Sequence, residues 1–341
     1  MVGGSGPQGG PVRSGVCVTV ILDGASEPVH GDAPTSLERA DTPTLDALVA
    51  RGTLTRRRTV PDGLAPGSEV AIPNLLGWTP PAAVDRGAVE AAAREIPVAA
   101  GHRAWRIDVR CPTGGRAGAV AVARAAEALR RGAPHHALHE LGGHRLLLVG
   151  PAPLPDVAAA ARGVHVWPEG IVPPPVLDGG TVVVAAPGAA AGIAALLGAQ
   201  VVTPPGATGG PDSDLRAKTD AARVALGRRG VSHVVVHVGG ADEASHLHDA
   251  DAKVALLERA DREVVAPLAD SVRELGGTLT VLPDHGCDPS TGGHDALPVP
   301  VLTWRPADMA DRAREAGDDG PARRLTERAV AALPVLEEVP A

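Results

Sequence analysis

The sequence predicts an α/β fold, a doubly wound, mainly parallel sheet with an inserted smaller α/β cap domain. Short β-branched apolar runs alternate with helical patterns along most of the chain, which is the rhythm of βαβ units and of a sheet covered on both faces. At 341 residues the chain exceeds the size at which one hydrophobic core usually stops growing, so a second domain is expected. From about Pro97 to Gly179 the alternation loosens into sequence rich in Arg, His, Gly and Pro, which places that second domain inside the first. The expected division is a leader over residues 1–14, a discontinuous core over 15–96 and 180–335, and a reduced cap over 97–179. The leader is rich in Gly, Pro and Ser and lacks an apolar h-region, so it reads as a floppy segment and not as a signal peptide.

Val16 to Leu22 reads as a buried parallel strand ending in Asp23-Gly24, so a carboxylate stands where open α/β sheets place their chemistry. Thr42-Pro43 opens a helical pattern through Leu45, Leu48 and Val49 that stops at Gly52. Pro66-Gly67-Ser68 precedes the apolar stretch Val70 to Leu76, which sets Ser68 at or near a helix N-terminus, where backbone N–H groups favour an anion. Inside the cap a helix is expected near Ala117 to Arg131 and a strand at Arg145 to Val149. Strands then follow at Thr181 to Ala185, Val201 to Thr203 and His233 to Val238, separated by helices at Gly188 to Leu197 and Asp214 to Arg229. A long helix from about Asp251 to Leu275, strands at Thr278 to Leu282 and Val299 to Trp304, and two C-terminal helices complete the pattern.

Composition narrows the partners. With 32 basic against 40 acidic residues the net charge is -8, without a polybasic footprint for nucleic acid or an anionic membrane, while a few local arginines can still hold a phosphorylated metabolite. No apolar run is long enough to suggest a transmembrane helix. Cys17, Cys111 and Cys287 lie far apart with no CxxC spacing, so neither a disulfide framework nor a structural zinc ribbon is expected, and a reducing cytoplasm fits. Phe and Tyr are absent, so the core must pack from small aliphatic groups. Lys occurs only at Lys218 and Lys253. Lys253 reads as pairing with an acidic neighbour on its own helix, such as Glu258 or Asp249.

Two clusters carry chemistry. Asp242 and His246, spaced i and i+4 directly after a strand, can share one helix face and one cation. Asp284-His285 follows a strand and His294 comes nine residues later. Each cluster alone is bland. Together with Asp23 they all fall at or just after expected strand ends, where a doubly wound fold gathers them on one rim. Their mix of carboxylate oxygen and imidazole nitrogen suits Mn, Zn or Mg-like divalent ions, with too few thiols for a soft site. Two such ions about 4 Å apart would clamp the attacking and leaving oxygens of an in-line phosphoryl displacement. Ser68, on its own a plain helix cap, then supplies a nucleophile.

The stretches Asp23-Gly24, Thr35-Ser36-Leu37-Glu38, Thr42-Pro43-Thr44-Leu45-Asp46, Pro66-Gly67-Ser68-Glu69, Leu76-Gly77-Trp78-Thr79-Pro80, Arg86-Gly87 with Glu90-Ala91, Gly206-Ala207-Thr208-Gly209, Asp214 with Lys218, Asp242-Glu243-Ala244 with His246, and Asp284-His285 occur in one order. In that order the chain resembles the archaeal-type 2,3-bisphosphoglycerate-independent phosphoglycerate mutases of the alkaline phosphatase superfamily. The resemblance implies an alkaline phosphatase-like core and two divalent metal ions, with Mn first and Mg, Zn or Co as alternatives. It implies one metal held by Asp242, His246 and His294, and the other by Asp23, Ser68, Asp284 and His285. It further implies that Ser68 becomes a phosphoserine and returns the phosphoryl group to the other hydroxyl of glycerate, interconverting 3- and 2-phosphoglycerate. Arg86, Arg106 and Lys218 match charged family positions and are assigned to substrate, with Arg145 and Arg116 of the cap behind them. Glu69 stands where the family usually has Asp, Asp108 where Asn is common, and the segment between Val149 and Trp167 is short. A shortened cap keeps a metal-dependent phosphatase or phosphotransferase acting on another small phosphorylated or phosphonate metabolite as the alternative.

Overall fold

The structure, a computed structural model, describes residues 15–112, 116–157, 161–306 and 324–336. The first part of the chain gives β1 (Cys17–Leu22), α1 (Ser36–Arg39), α2 (Pro43–Val49), β2 (Thr53–Arg57), α3 (Ser68–Leu75) and α4 (Arg86–Ala92). The middle gives β3 (His102–Val109), α5 (Ala119–Gly132), β4 (Ala137–Gly142), β5 (Arg145–Pro151) and β6 (Val164–Val166). The remainder begins with β7 (Thr181–Val184), α6 (Ala189–Leu197), β8 (Gln200–Val202), α7 (Leu215–Leu226), β9 (His233–Val238), α8 (Gly240–His246) and α9 (Ala250–Ala260). It closes with α10 (Ala266–Leu275), β10 (Thr278–Leu282), β11 (Gly286–Asp288), β12 (Gly293–Asp295), β13 (Val299–Trp304), α11 (Glu327–Val330) and β14 (Val335–Leu336).

Eight strands form one sheet in the order β14-β2-β13-β10-β1-β9-β7-β8. β10, β1, β9, β7 and β8 run parallel, and β13 runs against its neighbours β10 and β2. The central strands are buried on both faces, which explains why they read as continuous apolar runs. Val18, Val20 and Leu22 of β1, with Val234, Val236 and Val238 of β9, pack on the face covered by α2, α7, α9 and α10. Ile21, Val183 and Val235 point the other way, against α3 and α6.

A second sheet, antiparallel and ordered β4-β5-β3-β6, packs α5 on one face through Ile107, Leu146, Leu148, Val122, Ala126 and Leu129. Helix α4 is wedged between β3 and α6. It fits only because two glycines lack side chains. A Cβ on Gly87 would lie 1.9 Å from the carbonyl oxygen of Ala104, and one on Gly192 would lie 2.0 Å from that of Val89.

The long helix expected from Asp251 to Leu275 is continuous but contains a π-helical turn at Asp261–Val265. There the buried Asp261 carboxylate accepts the free N–H groups of Thr44 and Leu45 in the first turn of α2. Lys253 does not pair along its own helix. Its fully buried ammonium reaches Glu27 at 2.8 Å and the carbonyl oxygen of Cys287 at 2.7 Å, because the helix packs that face inward against the loops after β1 and β10. The expected leader over residues 1–14 lies outside the described residues, as do residues 307–323, so α11 is the one C-terminal helix among those described. Among the described residues no helix is long and apolar enough to cross a membrane.

Candidate functional site

Three neighbouring strands, β10, β1 and β9, end side by side, and each delivers a carboxylate at its C-terminal end. β1 runs into Asp23, β10 into Asp284-His285, and β9 into α8, which carries Asp242 and His246 one turn apart. The backbone ties these exits together. Asp242 donates its N–H to the Asp23 carbonyl at 2.9 Å, and Asp23 donates its own to Val238 at 3.0 Å. Gly24 holds φ at +63°, and a Cβ there would lie 2.8 Å from the Cα of Asp242, so glycine is required at this crossing. Asp284 Oδ1 accepts the N–H groups of Gly24 at 3.1 Å and His285 at 2.9 Å, which orients its second oxygen into the site. His294 arrives from the β11–β12 ribbon.

The three imidazoles are set by their outer nitrogens. Nδ1 of His246 lies 2.9 Å from the carbonyl of Gly292, that of His285 3.1 Å from Gly286, and that of His294 3.2 Å from Pro66. A carbonyl can only accept, so each Nδ1 carries the proton and each Nε2 presents a lone pair. Yet His246 Nε2 and His294 Nε2 stand 3.0 Å apart, with Asp242 oxygens 3.3 and 3.0 Å from them. In those tautomers neither nitrogen can donate to the other, and the contact is repulsive unless a cation lies among them. Asp242 Oδ1 and Asp284 Oδ2 are both buried without a hydrogen-bond partner, a condition that costs about 1–3 kcal/mol per group when nothing satisfies it.

The donors fall into two groups whose ligand atoms lie within 4.8 Å of one another, Asp23, Asp284 and His285 in one, and Asp242, His246, His294 and Cys287 in the other. His294 bridges them, its ring centroid 4.2 Å from that of His285 and 4.8 Å from that of His246. Ser68, the first residue of α3, points its hydroxyl at the buried group, 3.2 Å from Asp23 Oδ1 and 3.3 Å from His285 Nε2. Burial, with Asp284 and Asp242 nearby, pushes the Asp23 carboxyl well above its usual range. Burial opposes the charge of Asp242 as well, but the imidazoles of His246, His294 and His285 close around it hold its carboxyl well below that range. The residues fit divalent cations, because carboxylate oxygens and imidazole nitrogens converge within ligand distance of one another.

All seven sequence-predicted metal ligands are therefore brought together. The predicted substrate residues are placed differently. Lys218 is fully buried and donates to the carbonyl oxygen of His237 at 2.8 Å, behind the ligands and not facing open space. Arg86 pairs with Glu69 at 2.8 Å, and Arg106 with Glu90 at 2.8 Å and Asp108 at 2.9 Å. Both guanidinium groups lie about 5 Å from the ring centroid of Trp167, which donates its indole N–H to Asp108. Arg116 pairs with Glu243, next to the ligand Asp242. The Arg145 side chain makes no direct hydrogen bond or ion pair among the described residues, its Nε is buried without a partner, and Glu90 and Glu243 act on it only at longer range.

Two residues at the site escaped the sequence reading. His237, within β9, places Nε2 3.0 Å from Asp23 Oδ2, and burial lowers its pKa to about 4, so it stays neutral. An imidazole interrupting an apolar strand was its only signal. Cys287 lies with the second group of candidate ligand atoms, a thiol among the oxygen and nitrogen donors the sequence singles out. Its proximity depends on the pairing of β11 with β12, which spacing does not reveal.

The sequence matches the Metalloenzyme superfamily over residues 15–320. A 2,3-bisphosphoglycerate-independent phosphoglycerate mutase from Methanoculleus marisnigri is 30% identical, with 86% of this chain and 89% of that one covered. The enzyme of the same name from Methanopyrus kandleri is 27% identical, with 80% and 83% covered. Among solved structures, a Pyrococcus horikoshii protein superposes with a TM-score of 0.71 at 20% identity, covering 92% of this chain and 91% of that one. The cofactor-independent phosphoglycerate mutase of Thermoplasma acidophilum gives a TM-score of 0.55 at 16% identity, covering 94% and 96%. At these identities the two structures establish the fold.

Proposed function

The chain belongs to the Metalloenzyme superfamily and, within it, to the archaeal-type 2,3-bisphosphoglycerate-independent phosphoglycerate mutases, and from that premise we propose that it interconverts 3-phosphoglycerate and 2-phosphoglycerate through a phosphoserine at Ser68. The observation that carries the reading is the position of the Ser68 hydroxyl, 3.2 Å from Asp23 and 3.3 Å from His285 at the N-terminus of α3. In this reading Asp242, His246 and His294 hold one divalent ion, and Asp23, Ser68, Asp284 and His285 hold the other, with Mn as the first expectation. Such ions, when bound, supply Lewis-acid stabilisation of the attacking and leaving oxygens.

The chain does the rest. Asp23 accepts the Ser68 hydroxyl hydrogen bond and orients the oxygen for in-line attack on phosphorus. The free N–H groups of the first turn of α3 face the anion that forms there. The ester bond to glycerate breaks as the Ser68–phosphorus bond forms; the Ser68 hydroxyl proton is released to solvent and the leaving oxygen takes one up, so the proton count is unchanged. The glycerate then presents its other hydroxyl, and the phosphoryl group returns. We assign the four-stranded sheet and α5 to the cap that holds the intermediate and excludes water during this reorientation. Arg145, whose guanidinium makes no direct ion pair among the described residues, is assigned in this reading to the glycerate carboxylate. Lys218 and His237 fix Asp23 from behind. The three cysteines, none in a disulfide, suit a reducing cytoplasm.

A phosphatase or phosphotransferase acting on another small phosphorylated metabolite is the second reading. It is favoured by the commitment of Arg86 and Arg106 to Glu69, Glu90 and Asp108, which leaves fewer cations for the substrate. Incubating Mn-loaded protein with 3-phosphoglycerate, and following 2-phosphoglycerate and free phosphate together, separates the two. The mutase reading requires 2-phosphoglycerate that disappears in Ser68→Ala; phosphate alone selects the second reading, and neither product contradicts the first.

A further inference from the structure

We propose that Cys287 is a fourth ligand of the metal site formed by Asp242, His246 and His294, giving this half of the centre a carboxylate, two imidazoles and a thiolate and tuning it toward zinc or cobalt over manganese or magnesium. The proposal rests on the two-metal reading above and assigns a residue that this reading does not use. Three observations carry it.

The first is register. Cys287 and His294 are directly opposite partners in the β11–β12 ribbon, so their side chains stand on the same face of it. Once His294 is aimed into the site, the sulfur is aimed there with it. The second is distance, since Sγ lies within the 4.8 Å compass of the Asp242, His246 and His294 donor atoms. The third is burial. Cys287 has no exposed surface, unlike Cys17, which is exposed, and Cys111, which is half-buried. Its backbone is pinned by Lys253, which donates to its carbonyl oxygen at 2.7 Å, and by its own N–H, which donates to Ser26 at 2.8 Å. The sulfur therefore has a fixed position beside Asp242 Oδ1, which lacks a hydrogen-bond partner, and the Nε2 atoms of His246 and His294.

The two halves of the centre then differ in kind. Asp23, Asp284, His285 and the Ser68 hydroxyl form an oxygen-rich set suited to hard ions, while the other half gains a soft donor, which favours zinc and cobalt. As the sulfur–metal bond forms, the thiol proton leaves to solvent, so the bound group is the thiolate.

Cobalt(II) reads this directly. The full-length metal-free protein is loaded with cobalt(II) alone, and its absorption spectrum is recorded beside those of Cys287→Ser, Cys287→Asp, Cys17→Ser and Cys111→Ser. The expected result is a near-ultraviolet sulfur-to-cobalt charge-transfer band in the unsubstituted protein. The band is kept in Cys17→Ser and Cys111→Ser and lost in both Cys287 variants, which still bind cobalt and show its visible ligand-field bands. Ligand-field bands without the charge-transfer band in the unsubstituted protein would overturn the proposal while leaving the metal reading intact, even if no Cys287 variant folds. A charge-transfer band that survives both Cys287 substitutions would overturn it as well. If cobalt does not bind at all, the two-metal reading fails, and this proposal with it.

Discussion

Two charged clusters lie side by side in this molecule and are solved in opposite ways. At the ends of β10, β1 and β9 the chain gathers Asp23, Asp242, Asp284, His246, His285 and His294 and leaves them unreconciled, with two buried carboxylate oxygens lacking partners and two imidazole lone pairs 3.0 Å apart. Around α4 and β3 it gathers Arg86, Arg94 and Arg106 with Glu69, Glu90 and Asp108, and pairs every one of them. The first cluster presents the donor set of a metalloenzyme site and does not pair fully within itself. The second is complete already and holds α4 against the four-stranded sheet. Charge alone does not mark a binding site; unsatisfied charge does.

Breaking the paired cluster should have the largest effect on stability. Arg106→Ala removes the most buried guanidinium partner of Glu90, whose side chain is 1% exposed, and the ion pair of Asp108, and is expected to lower unfolding free energy by about 3–5 kcal/mol in urea denaturation. A loss under about 1 kcal/mol would show that the cluster is not the structural tie described. Chelating the metals should act on the other cluster. Stabilisation by bound ions at 100 to 1,000 times their dissociation constant is about 3–4 kcal/mol, so EDTA should lower the melting temperature and added Mn or Zn restore it. A melting temperature indifferent to chelation would contradict the metal assignment.

The paired cluster also predicts an acid-sensitive stability. Burial opposes the charge of Glu90, but Arg106, Arg86 and Arg94 together hold its carboxyl below the ordinary value of 4.5. A depressed folded-state pKa means that the unfolded chain takes up the proton first. The contribution of ionised Glu90 is thus fully present above about pH 4.5 and is lost as pH falls through the lower folded-state value. Glu90→Gln should flatten the acid limb of a stability-versus-pH curve, and an unchanged limb would remove Glu90 from the account. The smallest structural effect is expected at Arg145, whose links to Glu90 and Glu243 are electrostatic only, with no direct ion pair among the described residues. Arg145→Met should change stability by no more than about 0.5 kcal/mol while raising KM. The opposite pattern, lost stability with KM unchanged, would place Arg145 in the structural cluster.

The contrast also explains what the sequence disclosed. β1, β9 and β10 are legible because burial on both faces demands runs rich in β-branched apolar residues, and Asp23, Asp242 and Asp284 are legible because they come within a few residues of the ends of those runs. Ser68 is legible from Pro66-Gly67 ahead of an apolar helix. The commitments of Arg86 and Arg106 are hidden because Glu69 and Glu90, their respective partners, come from other elements, and a charged residue looks the same in sequence whether paired or free. Cys287 is hidden for the same reason, because its role depends on which residue stands opposite it. Lys253 was misread because an acidic neighbour in sequence suggested a partner that the inward-facing helix side does not offer.

The central claim is that Ser68 is the nucleophile at the metal cluster. Metal-loaded protein mixed with 3-phosphoglycerate, quenched in acid and digested, can be searched by mass spectrometry for a phosphorylated peptide. The account predicts phosphate on Ser68 and on no other residue, absent without metal and absent in Ser68→Ala. Turnover of substrate with Ser68 unmodified at every quench time, and retained in Ser68→Ala, would contradict it.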